Sequence, residues 1–466
     1  MNRVLLFVAM VACAAFAVTN TTMPSYYAVG HTAFDLGVSI GVQQKDAFAQ
    51  LLEADDSLRT RLEPWMEQHP DEWEQFYIAN KKAYPDIFDE VLGIAKGAGL
   101  KANDTVLLML RPEIESLTSN YSHHYNENCF DIINNPGDDK GIAFIAHNED
   151  WTPAYKPFGF VLHENMPFSK TGATHITAFT YPASPVGFTF GYNDKGVVTS
   201  CNGLNPIPCT PGKLGRYFIN RDVLAATSVQ DAIDRLTKAA PESALGFAMS
   251  IGSVHSHELY HAEMAPYDPN TNETGGHVDI IPIKPGQSYL HSNKYTHDHF
   301  KNIHQFVSNS TQHRLARAEE MDTPSTPELA LAILGDEKDK DFPIYRYGRK
   351  DDELATISTA VLDLDNALVT IYGGNPTQWD PVVVMPLFVP DPQTSSSVKS
   401  ASSSSPSSSH HHKDDDDNTY GWQFWVATSC AIVLFVAVLI LLVILICLCK
   451  RGGSTYAINS SYHRVV

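Results

Sequence analysis

Between residues 33 and 99 the apolar positions come in clusters with acidic residues between them: Phe34, Leu36, Val38 and Ile40, then Phe48, Leu51 and Leu52, then Leu62, Trp65 and Met66. This pattern predicts a helical lobe. Tyr84-Pro85 opens a further helix, since proline is tolerated in a first helical turn, and Ile87, Phe88, Val91, Leu92 and Ala95 form its apolar face before Gly97 and Gly99 stop it. After Asn128 the period changes. Short β-rich runs at 141–146, 158–162, 174–180 and 196–199 are separated by Asp-Lys-Gly, Lys-Thr-Gly and Asn-Asp-Lys-Gly turns, the texture of antiparallel hairpins. A helix is expected over 216–238, opened at one point by Ser228-Val229-Gln230-Asp231, and two more strands at 355–362 and 367–372 flank the turn Asp363-Leu364-Asp365-Asn366. Two sheets covered by helices, an α+β layered sandwich without internal repeats, is the predicted architecture.

The two ends read differently. Residues 1–17 have an arginine followed by an uncharged apolar run and a small-residue ending at Ala15-Phe16-Ala17, the form of a secretory signal peptide. The competing reading, an N-terminal anchor, needs about 20 apolar residues, more than this run supplies. Residues 421–449 contain no charge and exceed that spanning length, so a single transmembrane helix is expected there, with Trp422 and Trp425 at one edge and Lys450 and Arg451 at the other. A lipid-anchor signal competes with it, but such tails end the chain, whereas residues 450–466 follow as a polar tail. The expected topology is type I, at the cell surface or the endolysosomal membrane.

Residues 392–420 are Ser-rich, with His410-His411-His412 and Asp414 to Asp417, and are expected to form a stalk; the His run either binds metal or is a solvated low-complexity face. Five glycosylation sequons on the expected luminal side begin at Asn20, Asn103, Asn120, Asn272 and Asn309, and Tyr462-His463-Arg464-Val465 has the form of a sorting signal.

Composition narrows the function. The 466 residues hold 33 Lys+Arg against 53 Asp+Glu, a net charge of −20, which opposes nucleic-acid binding. At 43% hydrophobic the chain can bury a large core. Of seven cysteines, Cys13 leaves with the signal and Cys430, Cys447 and Cys449 belong to the hydrophobic segment, so three remain. Cys201 and Cys209 enclose a short loop that can close as a disulfide. Cys129 is then an intermolecular bridge, an inert buried residue or a reactive nucleophile.

Tyr121 to Asn128 is polar and turn-prone, and cleavage there would leave Cys129 beside its own α-amine. An α-amine with a pKa of about 8 can take the thiol proton, so one residue supplies nucleophile and base. Asp150, in Asn148-Glu149-Asp150-Trp151, is placed by a hairpin to orient that amine, unless these residues are only an Asx-turn.

Residues 84–99, Tyr-Pro-Asp-Ile-Phe-Asp-Glu-Val-Leu-Gly-Ile-Ala-Lys-Gly-Ala-Gly, resemble a signature that precedes the nucleophile in the peptidase C45 family. Cys129 with Asn148-Glu149-Asp150-Trp151, Gly196-Val197-Val198 running into Asn202-Gly203-Leu204, His291-Ser292-Asn293, and Tyr372-Gly373-Gly374-Asn375-Pro376 resemble its later blocks, in order, over residues 27–391. The resemblance implies an N-terminal-nucleophile hydrolase: a four-layer αββα sandwich, with 18–128 as a helical pro-segment and 129–391 as the catalytic chain, the two being chains of one precursor. It implies Cys129 as nucleophile, Asp150 as the carboxylate that positions it, Asn293 and Asn202 as oxyanion donors, and a late basic residue, Arg349 or alternatively Arg346, that favours the thiolate. Asn128 departs from the glycine that precedes the nucleophile in the fungal acyltransferase, and its bulk bears on self-cleavage.

The implied activity is hydrolysis or transfer of the acyl group of a small N-acyl amide such as a β-alanyl amine, with a lipid N-acyl amide as the other substrate class. No cofactor or metal is expected. A catalytically silent binding ectodomain is the competing function.

Overall fold

Helix formation in the first lobe follows from caps and from a seam of small residues. Strand β1 (Ser25–Val29) leads to α1 (Ala33–Ala54), whose first turn is closed by Thr32, its hydroxyl accepting the Asp35 N–H at 3.1 Å. Then come α2 (Glu63–Gln68), α3 (Pro70–Ala83), α4 (Pro85–Ala98), α5 (Ala102–Met109) and α6 (Arg111–Thr118). Helix α4 runs through Gly97 and ends at Gly99, which adopts φ 77° and so terminates it as only glycine does readily. The glycines inside it serve packing. A Cβ at Gly93 would lie 2.2 Å from Phe34 O and one at Gly37 would lie 2.0 Å from Glu90 O, so α1 and α4 meet backbone to backbone.

The computed structural model describes residues 23–118, 129–137, 141–170, 172–182, 184, 186–266, 276–349 and 352–387. The chain divides into two compact units, Met1–Ser395 and Ser396–Val466, and all described residues belong to the first. After the helical lobe come β2 (Phe130–Asn135), β3 (Phe144–Trp151), β4 (Phe160–Asn165), β5 (His175–Thr180), β6 (Phe190–Asn193) and β7 (Val197–Gly203). Helices α7 (Arg216–Leu224) and α8 (Val229–Ala239) precede β8 (Phe247–Ser253), β9 (Leu259–Ala265), β10 (His277–Pro282) and β11 (Gln287–His291). The last part holds α9 (Asn309–Glu319), α10 (Pro327–Leu334), β12 (Tyr347–Arg349), β13 (Asp352–Asp363), β14 (Leu368–Tyr372) and β15 (Val383–Pro386).

One sheet has the order β1-β4-β5-β6-β7-β8-β9-β10 and the other β11-β2-β3-β13-β14-β15, with β12 paired to β13. All pairings are antiparallel except β1 with β4, which ties the first lobe to the sheet. Alternation along the strands puts apolar side chains on both faces of the sheets. Ile133, Ile145, Ala360 and Leu362 meet Val198 and Phe190 between the sheets. Met249, Ile251 and Met264 pack under α7 and α8. Phe130, Ile132, Phe144 and Ala146 pack under α9 and α10. Arg221 of α7 bridges the first lobe and the sheet, its Nη2 lying 2.9 Å from both Glu90 and Glu164; burial and the nearby Glu90 push Glu164 up to about 8.

Several expectations need correction. The fold is mixed α/β with two sheets, but the sandwich was expected to carry a single C-terminal transmembrane helix, and among the described residues no helix is long and apolar enough to cross a membrane. Segment 421–449 itself lies outside the described residues, as do the expected signal peptide, the 119–128 junction, the stalk and the tail. The helix expected over 216–238 is two helices, because Ser228 caps α8 by accepting the Asp231 N–H at 3.1 Å. Cys201 and Cys209 are not bonded to each other: the first directs its thiol at Gly187 O, 3.4 Å away, the second at Glu113 O, 3.8 Å away.

Candidate active site

The β2–β3 hairpin builds the site. Phe130 pairs with Asn148, so the register carried back one residue sets Cys129 opposite Glu149. Residues two apart share a strand face, and Asp131, His147 and Glu149 therefore point into the space between the sheets. Cys129 is buried, with Sγ 3.5 Å from Glu149 Oε2. His147 Nε2 lies 3.4 Å from the same oxygen, and His147 Nδ1 lies 2.5 Å from Asp131 Oδ1. Asp131 Oδ2 accepts the hydroxyls of Ser200 and Ser250 at 2.7 and 2.6 Å, and Tyr181 donates to Glu149 Oε1 at 3.0 Å.

Burial alone would push the His147 pKa down. The carboxylates of Asp131 and Glu149 outweigh it and raise His147 to about 9. Burial would likewise push Asp131 up, but His147 and the two serines hold it below the usual carboxylate range. The pair is an imidazolium and a carboxylate at neutral pH.

The opposite face of β3 carries Asn148 and Asp150. A bulge where β13 shifts register, between Thr356 and Ser358, re-aims Thr356, whose hydroxyl donates to Asp150 Oδ1 at 2.6 Å. Asp150 Oδ2 faces Arg314 Nη1 at 3.5 Å and Arg346 Nη1 at 3.7 Å. Burial still outweighs both guanidiniums and lifts Asp150 to about 6. Arg314, on α9, is the hub: Nη1 donates to Cys129 O at 3.1 Å and Nη2 to Asn293 Oδ1 at 2.8 Å. It is fully buried, and burial together with the neighbouring Arg346 lowers it to about 10.

Asn202 and Asn293 come from the ends of β7 and β11, one in each sheet. Asn293 Nδ2 donates to Gly203 O at 2.9 Å, and Asn202 Nδ2 lies 3.1 Å from His291 Nδ1. Both side chains are donors through Nδ2. Of the residues expected from sequence, Cys129, Asp150 and Asn293 meet around Arg314, and Asn202 joins them through the Gly203 carbonyl. Arg349 does not. It is exposed on β12, donates to Lys340 O at 2.8 Å and lies over the Tyr347 ring, whereas the alternative, Arg346, is buried, bonds Asp352 and faces Asp150.

Sequence reasoning missed Arg314, Asp131, His147 and Glu149. The three on β2 and β3 had a signal, polar residues alternating inside strands whose neighbours are apolar. Arg314 had none, because its helix reads as a polar surface helix.

A small cavity of about 30 Å³, lined by Leu51, Trp151, Tyr155, Tyr181 and Phe188 with Asp55 and Arg111, adjoins the Tyr181–Glu149 contact. Two trios have the donor types to hold a metal ion: Cys129, His147 and Glu149, and His261, Glu263 and His297.

A β-alanyl-dopamine/carcinine hydrolase of Drosophila melanogaster is 24% identical over 318 residues, covering 66% of this chain and 81% of the relative. The sequence profile described as acyl-coenzyme A:6-aminopenicillanic acid acyl-transferase matches residues 135–378, slightly more than half of the chain and including Asp150, Asn202, Asn293, Arg314 and Arg346. The chain thus belongs to the acyl-coenzyme A:6-aminopenicillanic acid acyl-transferase family, peptidase C45, and its chemistry is that of an amide hydrolase or acyltransferase.

Proposed function

We propose that the chain cuts itself between Asn128 and Cys129 and then uses Cys129 to hydrolyse, or transfer, the acyl group of a small N-acyl amide of the β-alanyl amine class. The observation that carries this reading is the position of Cys129: its thiol faces Glu149, while Arg314 holds both its carbonyl and the side chain of Asn293.

Before cleavage the Cys129 nitrogen is an amide and no α-amine exists. Glu149 is then the group within reach of the thiol, and it takes the thiol proton as sulfur attacks the Asn128 carbonyl. The C–N bond breaks as Glu149 returns that proton to the departing nitrogen, which leaves a thioester and the new α-amine, and water then cleaves the thioester to free the Cys129 thiol and the Asn128 carboxylate. In the cleaved enzyme that amine becomes the base. The thiolate adds to the substrate carbonyl, and the Nδ2 groups of Asn293 and Asn202 donate to the developing oxyanion. Collapse expels the substrate amine with a proton from the α-ammonium. Water, or a second amine, then attacks the acyl-cysteine, and its proton goes to the α-amine. Asp150 holds the α-ammonium between turnovers, and Arg314 keeps the cysteine carbonyl and Asn293 in register.

The aromatic walls supplied by Trp151, Tyr155 and Tyr181 suit an arylalkylamine or imidazole group. The β-alanyl class follows from the activity in the name of the Drosophila melanogaster relative. Turnover of a β-alanyl amide by the purified full chain, followed by release of free β-alanine, tests the reading. We expect release by the wild type and a loss of about 10³-fold or more in Cys129→Ala. Wild-type-like release in that variant would contradict it.

A further inference from the structure

A second buried cluster lies behind the oxyanion asparagines and plays no part in the steps above. His261 and Glu263, two apart on β9, share a face, and His291 at the end of β11 and His297 in the following loop meet them from the other sheet. All four are buried. His261 Nδ1 lies 3.0 Å from His297 Nε2, and His291 Nε2 lies 3.3 Å from Glu263 Oε1. Ligand atoms of His261, Glu263 and His297 fall within 4.8 Å of one another.

We propose that His261, Glu263, His291 and His297 bind one divalent transition-metal ion of the zinc class, which staples the two sheets together behind the active site. Nitrogen and oxygen ligands about 2.0–2.1 Å from a common ion stand roughly 3.0–3.4 Å from each other, a separation that the His261–His297 and His291–Glu263 pairs already show. Three imidazoles and one carboxylate are the donor set that zinc prefers over calcium or magnesium.

The surroundings have the form of an outer coordination shell. Asp279 lies 2.9 Å from His297 Nδ1, the carboxylate–histidine arrangement that orients a metal-bound ring. Glu263 is held by the Thr296 N–H and hydroxyl at 2.8 and 2.7 Å and by the His297 N–H at 3.1 Å.

The buried atoms without a hydrogen-bond partner among the described residues include His261 Nε2, His291 Nε2 and Asn202 Oδ1. The last points to the ligand. With the Asn202 amide turned over, Oδ1 accepts a proton from His291 Nδ1, and His291 Nε2 is released to coordinate the ion. The metal therefore also sets the orientation of Asn202.

The test is metal content of the full chain. After incubation with Zn²⁺ and desalting, we expect about one tightly held equivalent, lost in His261→Asn and in His297→Gln with the fold checked by circular dichroism. Replacement by Co²⁺ should give visible absorption bands of a low-coordinate nitrogen and oxygen site, and binding should raise the melting temperature of the wild type. The equivalent should survive in Cys129→Ala, which removes the other trio, and in a variant with His410, His411 and His412 changed to Ala. Zinc content below about a tenth of an equivalent in the wild type overturns the proposal whatever the variants do. Loss of the ion with Cys129→Ala or with the triple His variant, rather than with His261→Asn, also overturns it.

Discussion

The two faces of β3 carry buried acids that are neutralised in different ways. Between the sheets, Asp131 and Glu149 flank His147, a cation that can lose its proton. On the side of α9, Asp150 faces Arg314 and Arg346, cations that in practice do not. The first arrangement can pass a proton and the second supplies a fixed field. Cys129 lies at the junction, its thiol directed to the titratable side and its carbonyl bound on the permanent side. The proposed assignment of Glu149 to proton removal and of Asp150 to positioning rests on that difference.

The largest expected effect is on the permanent side. Arg314→Met removes a donor from Asn293 Oδ1 and from the Cys129 carbonyl, and turnover should fall by about 10²–10³-fold, the cost of losing an oxyanion-site hydrogen bond. It should also destabilise the chain by roughly 3–5 kcal/mol, because one partner of a buried ionic cluster is removed. Arg349→Met, on the exposed strand, should change turnover less than about 2-fold and stability by less than about 0.5 kcal/mol. Steady-state kinetics and urea denaturation of the two variants measure the contrast, and equal losses would erase it.

A smaller effect belongs to the titratable side. His147 is raised from 6.5 to about 9 in the folded chain, so its contribution to stability is fully present below pH 6.5 and is lost as pH rises through about 9. The melting-temperature gap between Cys129→Ala and the same chain carrying His147→Gln should be widest near pH 6 and should narrow toward pH 9.5. A gap that does not vary with pH would mean that His147 is not charged.

Much of this arrangement was legible in the sequence, and what was missed has physical reasons. The Tyr84-Pro85 start and the Gly99 stop of α4 were readable because proline and glycine act locally. The role of Gly93 and Gly97 was not, since it depends on α1 lying across them. The strand expected at 141–146 extends as β3 to Trp151. Its second half, His147-Asn148-Glu149-Asp150, is polar and resembles a turn, and only partners from β2, β13 and α9 make it tolerable as a buried strand. Arg346 and Arg349 are three residues apart, and which one turns inward was decided by the pairing of β12 with β13. Arg314 is remote from every motif in the chain and reaches the cysteine only through tertiary packing.

The most direct measurement compares Glu149→Gln with Asp150→Asn in the full chain, following the new N-terminus at Cys129 by fragment sequencing and then the turnover of whatever chain has been cut. Glu149→Gln should slow cleavage by about 10²-fold or more while its cleaved fraction turns over within a few-fold of wild type. Asp150→Asn should depress turnover of the cleaved enzyme by about 10²-fold or more, because the α-ammonium loses its carboxylate. Cleavage of Glu149→Gln at the wild-type rate, or no new N-terminus at Cys129 in the wild type, would contradict the division of labour between the two faces of β3.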